Sequence, residues 1–552
     1  MAAMIGEVRR NMQQSRSCFM RSISIAITVA LLLVSILACT ESVSAASKLK
    51  VTVTKKTIYV GQTAKFKANK NVKWSVSNKK VGKLTSIKKK SVTVKGLKAG
   101  TVYVKAKYGK KVKKIKITVR SRIPKEINLT ATKDILGVGD YCTVSVESVK
   151  PSYASTDVTF SSSDTSVATV NSSGFVAGLK PGTASIIATS KKDKNKKASI
   201  DITVVPTKAG TVNLQVDLSD ETRYPAGKVA RVWLPVPQTD DNQKITSVKC
   251  DAPGAKEVKL TTDTAGGQQY YIEWDENTPP TERKAEMSYH LYRKAIVRRD
   301  SIESNKSTID DVDKTKFAEE LKETYWSGDL ESGIVKETAD KIVADAGNTV
   351  YEQAFAIYDY ICNNMVRTDN KKVILGDVVS ILEGKREAGS CMDVNAVFVS
   401  LCRAEGIPAR TLYGFNFIYL SPNCRAEFYL PDYGWVVVDP AMSIRVGRGL
   451  DAPPKTDNDP EWKAAKDAYW GNASETWIGI NMGHDFMLNP PQRADTGGEY
   501  LEVLNPDGTI NIYMFPYGEY DDEYIPCMGR DKNENFKYEF KFEEEDPLDC
   551  GC

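Results

Sequence analysis

The stretch Gly389-Ser390-Cys391-Met392-Asp393-Val394-Asn395-Ala396-Val397-Phe398-Val399-Ser400-Leu401-Cys402-Arg403-Ala404-Glu405-Gly406-Ile407-Pro408-Ala409-Arg410 decides the fold. Val394, Val397, Phe398 and Leu401 recur at helical spacing, which predicts a helix over 391–404. Cys391 follows a glycine turn and opens that helix. A helix N-terminus presents free N–H groups and a partial positive charge. Both favour a thiolate, and the same N–H groups suit an oxyanion. Position alone leaves two readings open: a nucleophile, or a buried helix cysteine without chemistry.

Working outward, Asn348-Thr349-Val350-Tyr351-Glu352 predicts an earlier helix start, with Thr349 and Glu352 at capping-box spacing. Ala354, Ile357, Tyr358, Ile361 and Met365 then share one face. Strands are expected over Thr411–Leu420, Arg425–Leu430 and Gly434–Asp439. Helices followed by an antiparallel sheet make an α+β core. Residues 207–300 read as a β-rich domain ahead of it. There Val229-Ala230-Arg231-Val232-Trp233-Leu234 is read as an alternating strand that stops at Pro235-Val236-Pro237.

The first 200 residues contain a repeat. Tyr59-Val60-Gly61-Gln62 returns as Gly137-Val138-Gly139-Asp140. Trp74-Ser75-Val76-Ser77-Asn78 returns as Phe160-Ser161-Ser162-Ser163-Asp164, and Gly96-Leu97-Lys98-Ala99-Gly100-Thr101 as Gly178-Leu179-Lys180-Pro181-Gly182-Thr183. The period, about 80 residues, is a domain rather than a solenoid turn. Short alternating strands with Gly turns predict all-β sandwiches. Both units resemble the bacterial group-2 immunoglobulin-like domain, which implies surface presentation or adhesion without catalysis.

The Cys391 segment, with its Ala-Val-Phe-Val-Ser-Leu-Cys-Arg-Ala-Glu-Gly-Ile-Pro-Ala-Arg continuation, resembles the nucleophile segment of the bacterial transglutaminase-like superfamily, a papain-like thiol fold. Asn423-Cys424-Arg425-Ala426-Glu427-Phe428-Tyr429-Leu430-Pro431-Asp432-Tyr433-Gly434-Trp435-Val436-Val437-Val438-Asp439-Pro440 resembles its histidine and aspartate strands. Tyr469-Trp470-Gly471-Asn472 and Asn481-Met482-Gly483-His484-Asp485 fit as well. The resemblance implies a cysteine that attacks an amide carbonyl, a histidine that carries the proton and an aspartate that orients the histidine. Cys391 matches the nucleophile and Asp439 the orienting acid, but the histidine position holds Asn423. An amide side chain is no base near neutral pH. His484 remains as a substitute base, although a lone histidine is more often structural. Ser390 stands where the family often has lysine. No cofactor and no metal are implied, and with only two histidines and no Cys-x-x-Cys a zinc site is not expected.

The chain has 552 residues, ordinary globular composition and a net charge of +6. That sum hides a polarity: residues 47–122 hold 23 Lys, 2 Arg and no acid, and residues 207–552 carry a net −22. Such a basic module attracts polyanions. Lys88, Lys89, Lys90, Lys110, Lys111, Lys113 and Lys114 are the candidate polyanion-binding residues. An anionic cell-wall polymer or acidic glycan is the expected partner; a solvated basic face is the bland alternative. No aromatic-interleaved motif points to specific nucleic-acid recognition.

Arg9, Arg10, Arg16 and Arg21 precede the apolar run 23–38 and the small residues around 42–46, the pattern of a cleaved signal peptide, leaving no transmembrane span in the mature chain. A lipid anchor at Cys39 ranks second, because Leu37 stands where a smaller residue is usual. Eleven cysteines show no framework spacing, so disulfides, including any at Cys550 or Cys552, cannot be assigned. The expected order is a signal peptide (1–46), a very basic immunoglobulin-like domain (47–122), a second such domain (123–206), a β-rich domain (207–300), a transglutaminase-like core (301–515) and a C-terminal extension (516–552). The expected protein is secreted or cell-surface attached. It binds peptide or wall substrate as a pseudoenzyme with little turnover. An active thiol amidase, protease or transglutaminase and a structural adhesin are the alternatives.

Overall fold

The computed structural model describes residues 48–368, 376–417, 421–493, 503–526 and 536–548. The signal segment with Cys39, and Cys527, Cys550 and Cys552, lie outside the described residues. Two compact units meet at Arg122 and Ile123. No helix among the described residues is long and apolar enough to cross a membrane.

The first unit is a sandwich of two four-stranded sheets. One runs Val51–Val53, Thr63–Ala68, Ser91–Gly96, Gly82–Lys88; the other runs Thr57–Tyr59, Lys111–Arg120, Gly100–Tyr108, Lys73–Val76. Side chains alternate across each strand. Ala64, Phe66, Val92, Val94, Val102, Val104, Ile117 and Val119 fill the space between the sheets and are at most 2% exposed.

The second unit opens with a like sandwich. Each sandwich contains one parallel pair: Thr57–Tyr59 beside Thr118–Arg120 in the first, Ile135–Gly137 beside Thr203–Val205 in the second. The repeated Val-Gly turn explains itself: Gly61 and Gly139 sit at φ +87° and +85°, where a Cβ is strained. The second sandwich is fastened to the third β domain. The Val138 N–H donates to Thr207 Oγ1 (2.9 Å) and the Tyr292 hydroxyl to the Val138 carbonyl (3.0 Å).

The third β domain has two sheets, and both depart from expectation. Ala230–Val236 is buried at all seven positions rather than alternating. It lies between Gln268–Trp274 and Tyr517–Tyr520, with apolar packing on both faces, so its sequence is nearly continuous in apolar residues. The described part of 516–552 is built into this domain rather than extending from the core. Tyr517–Tyr520 joins Ala230–Val236, and Lys537–Glu545 pairs with Thr207–Asp217 from Ala209↔Glu545 to Asp217↔Lys537. The domain is closed by strands more than 280 residues apart in sequence, a pairing that local patterning does not encode.

The α+β core follows. The helix Val350–Asn364 carries the expected capping box: the Glu352 N–H donates to Thr349 Oγ1 (3.2 Å) and the Thr349 N–H to Glu352 Oε2 (3.2 Å). The helix Cys391–Ala404 lies under a sheet ordered Gly434–Val438, Ser421–Leu430, Ala409–Asn416, Trp477–Asn481. The middle strand starts earlier than expected, at Ser421 rather than Arg425, and the end of the expected 411–420 strand falls outside the described residues. Val394, Val397, Phe398 and Leu401 pack with Ile357, Tyr358, Ala426, Phe428 and Trp470 in one buried core.

Candidate active site

Ser390 is the N-cap of the helix Cys391–Ala404. Its hydroxyl accepts from the Met392 N–H (3.2 Å), so the helix begins at Cys391. Asp393 holds the turn before it. Its buried carboxylate accepts from the N–H groups of Gly389 (2.8 Å) and Gly376 (3.0 Å) and from Arg386 (2.6 Å). Cys391 is therefore placed by backbone hydrogen bonds on both sides of the turn. It is half-buried and packs against both the β-domain core and the helical core.

Its partners come from the strand Ser421–Leu430. The Cys424 N–H lies 3.5 Å from Cys391 Sγ. Asn395, one helical turn beyond Cys391, donates to the carbonyls of Cys391 (2.9 Å) and Cys424 (3.0 Å), tying helix to strand. The Cys424 thiol also hydrogen-bonds Cys391. That bond, aided by the Arg367 guanidinium and the Cys424 N–H, brings the Cys391 thiol down to about 7 against burial and the Asp439 charge. Cys424 moves the opposite way, well above the ordinary thiol range, because Cys391 takes the charge.

Asp439 is 1% exposed and caps the helix Pro440–Gly447, with Oδ1 accepting from the Met442 N–H (2.9 Å). Its other oxygen has no hydrogen bond and lies 3.7 Å from Arg425 Nε. Burial pushes Asp439 up to about 6, with Arg425 opposing. Arg425 itself is pushed down to about 10 by burial and lies 4.6 Å above the Trp477 ring.

Asn423 sits opposite Gly414 in the sheet, and its carbonyl accepts from Trp477 Nε1 (3.2 Å). Its side chain makes no hydrogen bond among the described residues, to Asp439 or to Cys391. Strand alternation puts Asn423 and Arg425 on one face and Cys424 on the other. His484 is held by other partners: its ring nitrogens are 3.0 Å from the Tyr413 hydroxyl, it hydrogen-bonds Asn511, and it lines a small cavity together with Met392. Burial, with Arg403 nearby, lowers it to about 3, so it is neutral at ordinary pH. His290 pairs with Glu545 in the third β domain (2.9 Å).

The structure thus brings Cys391 and Asp439 into one electrostatic neighbourhood. Sequence reading did not single out Arg367, Asn395, Cys424 or Arg425 as site residues. Strand parity was the available signal: Cys424 shares a face with Ala426 and Phe428, which pack on the nucleophile helix. No group of three or more His, Cys, Asp or Glu placed for a metal ion occurs among the described residues.

In the first unit, Lys88 ends a strand, Lys89 and Lys90 form the following turn, Lys110 lies in the next hairpin turn, and Lys111, Lys113 and Lys114 lie on its return strand. All seven are exposed.

Comparison with known proteins places these domains. Residues 336–440 match the Transglutaminase-like superfamily, and residues 125–202 match the Bacterial Ig-like domain (group 2). An uncharacterized protein of Haemophilus influenzae is 27% identical over 336 residues, 56% of this chain and 85% of that protein. Among solved structures, a candidate cysteine protease from Cytophaga hutchinsonii is 18% identical, covering 50% of this chain and 89% of its own, at a TM-score of 0.33. The periplasmic domain of TgpA from Pseudomonas aeruginosa is 17% identical, covering 45% and 86%, at 0.25. The helix opened by Cys391 and the strands up to Asp439 thus lie in the segment that matches the transglutaminase-like superfamily, behind a segment that matches the group-2 bacterial immunoglobulin-like domain.

Proposed function

We propose that this is a secreted or surface-attached protein whose transglutaminase-like site binds peptide or cell-wall amides with little or no turnover, Cys391 being acylated only where the leaving group departs without a proton. The observation that carries the reading is the pairing of a ready thiol with an absent proton carrier. With its pKa lowered to about 7, the Cys391 thiol ionises far more readily at neutral pH than an ordinary thiol. Yet Asn423 stands where the imidazole belongs, and the free oxygen of Asp439 faces Arg425. An amine leaves a tetrahedral intermediate only with a proton, and that help is typically worth about 10²–10⁴-fold. A phenolate or thiolate leaves without it.

The test follows from leaving-group chemistry. A p-nitrophenyl ester should release one equivalent of p-nitrophenol per chain, with mass spectrometry showing one acyl group on Cys391. Glutamine peptides and wall stem-peptide amides should show no repeated turnover. Repeated amide turnover, lost in Cys391→Ala, establishes instead the second reading, an active thiol amidase or transglutaminase. The lowered Cys391 thiol is the observation in that reading's favour.

We also propose that the basic module, residues 47–122, holds the protein on an anionic wall polymer. Its charge and the lack of any acid within it support this.

A further inference from the structure

The repeat supplies its own control for the lysines of the first sandwich. In the sheet Thr57–Tyr59, Lys111–Arg120, Gly100–Tyr108, Lys73–Val76, the inward positions are Val102, Val104, Ala106, Ile117 and Val119. Alternation puts Lys73, Lys105, Lys107, Lys114 and Lys116 on the outer face, with Tyr103 among them. The register makes this face continuous. Lys105 lies directly opposite Lys114, Lys73 opposite Lys107, and Tyr103 opposite Lys116.

Like charges directly opposite each other on a sheet face are destabilising. No Asp or Glu occurs between residues 47 and 122 to offset them. Nor does the fold ask for them. The matching strands of the second sandwich, Gly182–Ser190, Lys197–Val205 and Val158–Ser162, pair in the same way. At the five corresponding positions they carry Thr159, Ile187, Thr189, Ser199 and Asp201. A second copy of the architecture is built with no lysine at any of them.

We propose that this five-lysine face is the docking surface for a phosphodiester polymer, with one phosphate approached by each ammonium or by neighbouring pairs. The proposal rests on the anionic-polymer reading above and narrows it to one face and one chemistry. Geometry supports it: lysines two apart on a strand are about 6.6 Å apart and neighbouring strands about 4.8 Å apart. A flexible chain with one charge per repeat can follow that grid. Residue choice supports it too. Lysine is a hydrated point charge without arginine's planar fork, so it can follow the phosphates of a flexible chain without fixing any one of them in a bidentate geometry. This module uses 23 Lys against 2 Arg.

The experiment uses the full chain and poly(glycerol phosphate), titrated across salt. One variant changes Lys73, Lys105, Lys107, Lys114 and Lys116 to Gln. A second removes the same charge from Lys65, Lys67, Lys83, Lys95 and Lys98, away from this face. The first should weaken binding at least tenfold and flatten the log K against log salt slope by about 4, at about 0.7–0.9 per phosphate contact. The second should change binding less than threefold. The first variant should also melt higher than wild type at low salt, since the opposed pairs are gone. A two-site variant, Lys105→Gln with Lys114→Gln, gives the same sign at smaller size and guards against misfolding. Equal losses in the two five-site variants overturn the face while leaving the polymer reading intact. No binding by wild type overturns the polymer reading itself. A polyuronate bound as tightly at equal salt overturns the phosphodiester assignment, and an oligodeoxynucleotide bound tenfold tighter overturns the flexible polyol phosphate as the occupant.

Discussion

At the scale of residues, the site is decided by which groups can carry a proton and which can only hold a charge. Cys424 belongs to the second kind. Its thiol and N–H both stabilise the Cys391 thiolate. Cys424→Ala removes the larger of these contributions, so the Cys391 pKa should rise from about 7 toward the ordinary thiol range near 9. Thiolate forms as pH rises through that value, so the iodoacetamide rate profile should move to higher pH by a unit or more. An unmoved midpoint contradicts the hydrogen-bond account. Asn423 concerns the first kind. Asp439 keeps one buried oxygen without a hydrogen bond, the acceptor an orienting aspartate offers to an imidazole. Asn423→His should raise Cys391-dependent amide hydrolysis at least tenfold, measured as released ammonia or amine. No gain means that position 423 does not deliver an imidazole to the sulfur.

At the scale of elements, legibility follows the range of the forces involved. The helices Val350–Asn364 and Cys391–Ala404 were readable because caps and apolar stripes act over three or four residues. The Val-Gly turns were readable because positive φ demands glycine. What escaped depends on neighbours distant in sequence. Arg425 looks like an exposed strand residue until Trp477 and Asp439 enclose it. Asn395 looks like an ordinary helix residue until Cys424 is brought beside it. The strand Lys537–Glu545, charged at many positions, looks like a tail. In the fold its Phe540 stacks on Phe415 (4.4 Å) and its Phe542 lies tilted against Phe417 (4.4 Å), so it packs on the same sheet that carries Cys424. Phe540→Ala should destabilise the second unit by about 3 kcal/mol, the usual cost of deleting a buried ring, read by urea denaturation. A loss below about 1 kcal/mol contradicts the packing role assigned to this strand.

At the scale of the molecule, the chain separates charge from chemistry. The first unit carries the lysines and none of the groups at Cys391. Every residue on which the thiol depends, including Ser390, Arg367, Cys424 and Asp439, belongs to the unit Ile123–Cys552. Removal of residues 1–122 should therefore leave the rate and pH midpoint of Cys391 alkylation within twofold and 0.3 units of the full chain, as a rough bound on an effect with no local cause. A larger change contradicts the independence of the site from the basic module.

The pairing of Thr207–Asp217 with Lys537–Glu545 also bears on how the protein is made. A chain that emerges from its N-terminus presents residue 207 long before residue 537. Until the later strand arrives, one side of Thr207–Asp217 offers unpaired N–H and C=O groups to any passing chain. Both immunoglobulin-like sandwiches close from local segments and can finish early. The half that contains Cys391 cannot, and a ribosome stalled short of residue 545 releases a product with an adhesive sheet edge. Quality control on such fragments, rather than on full-length chains, is where a shortfall in yield should originate.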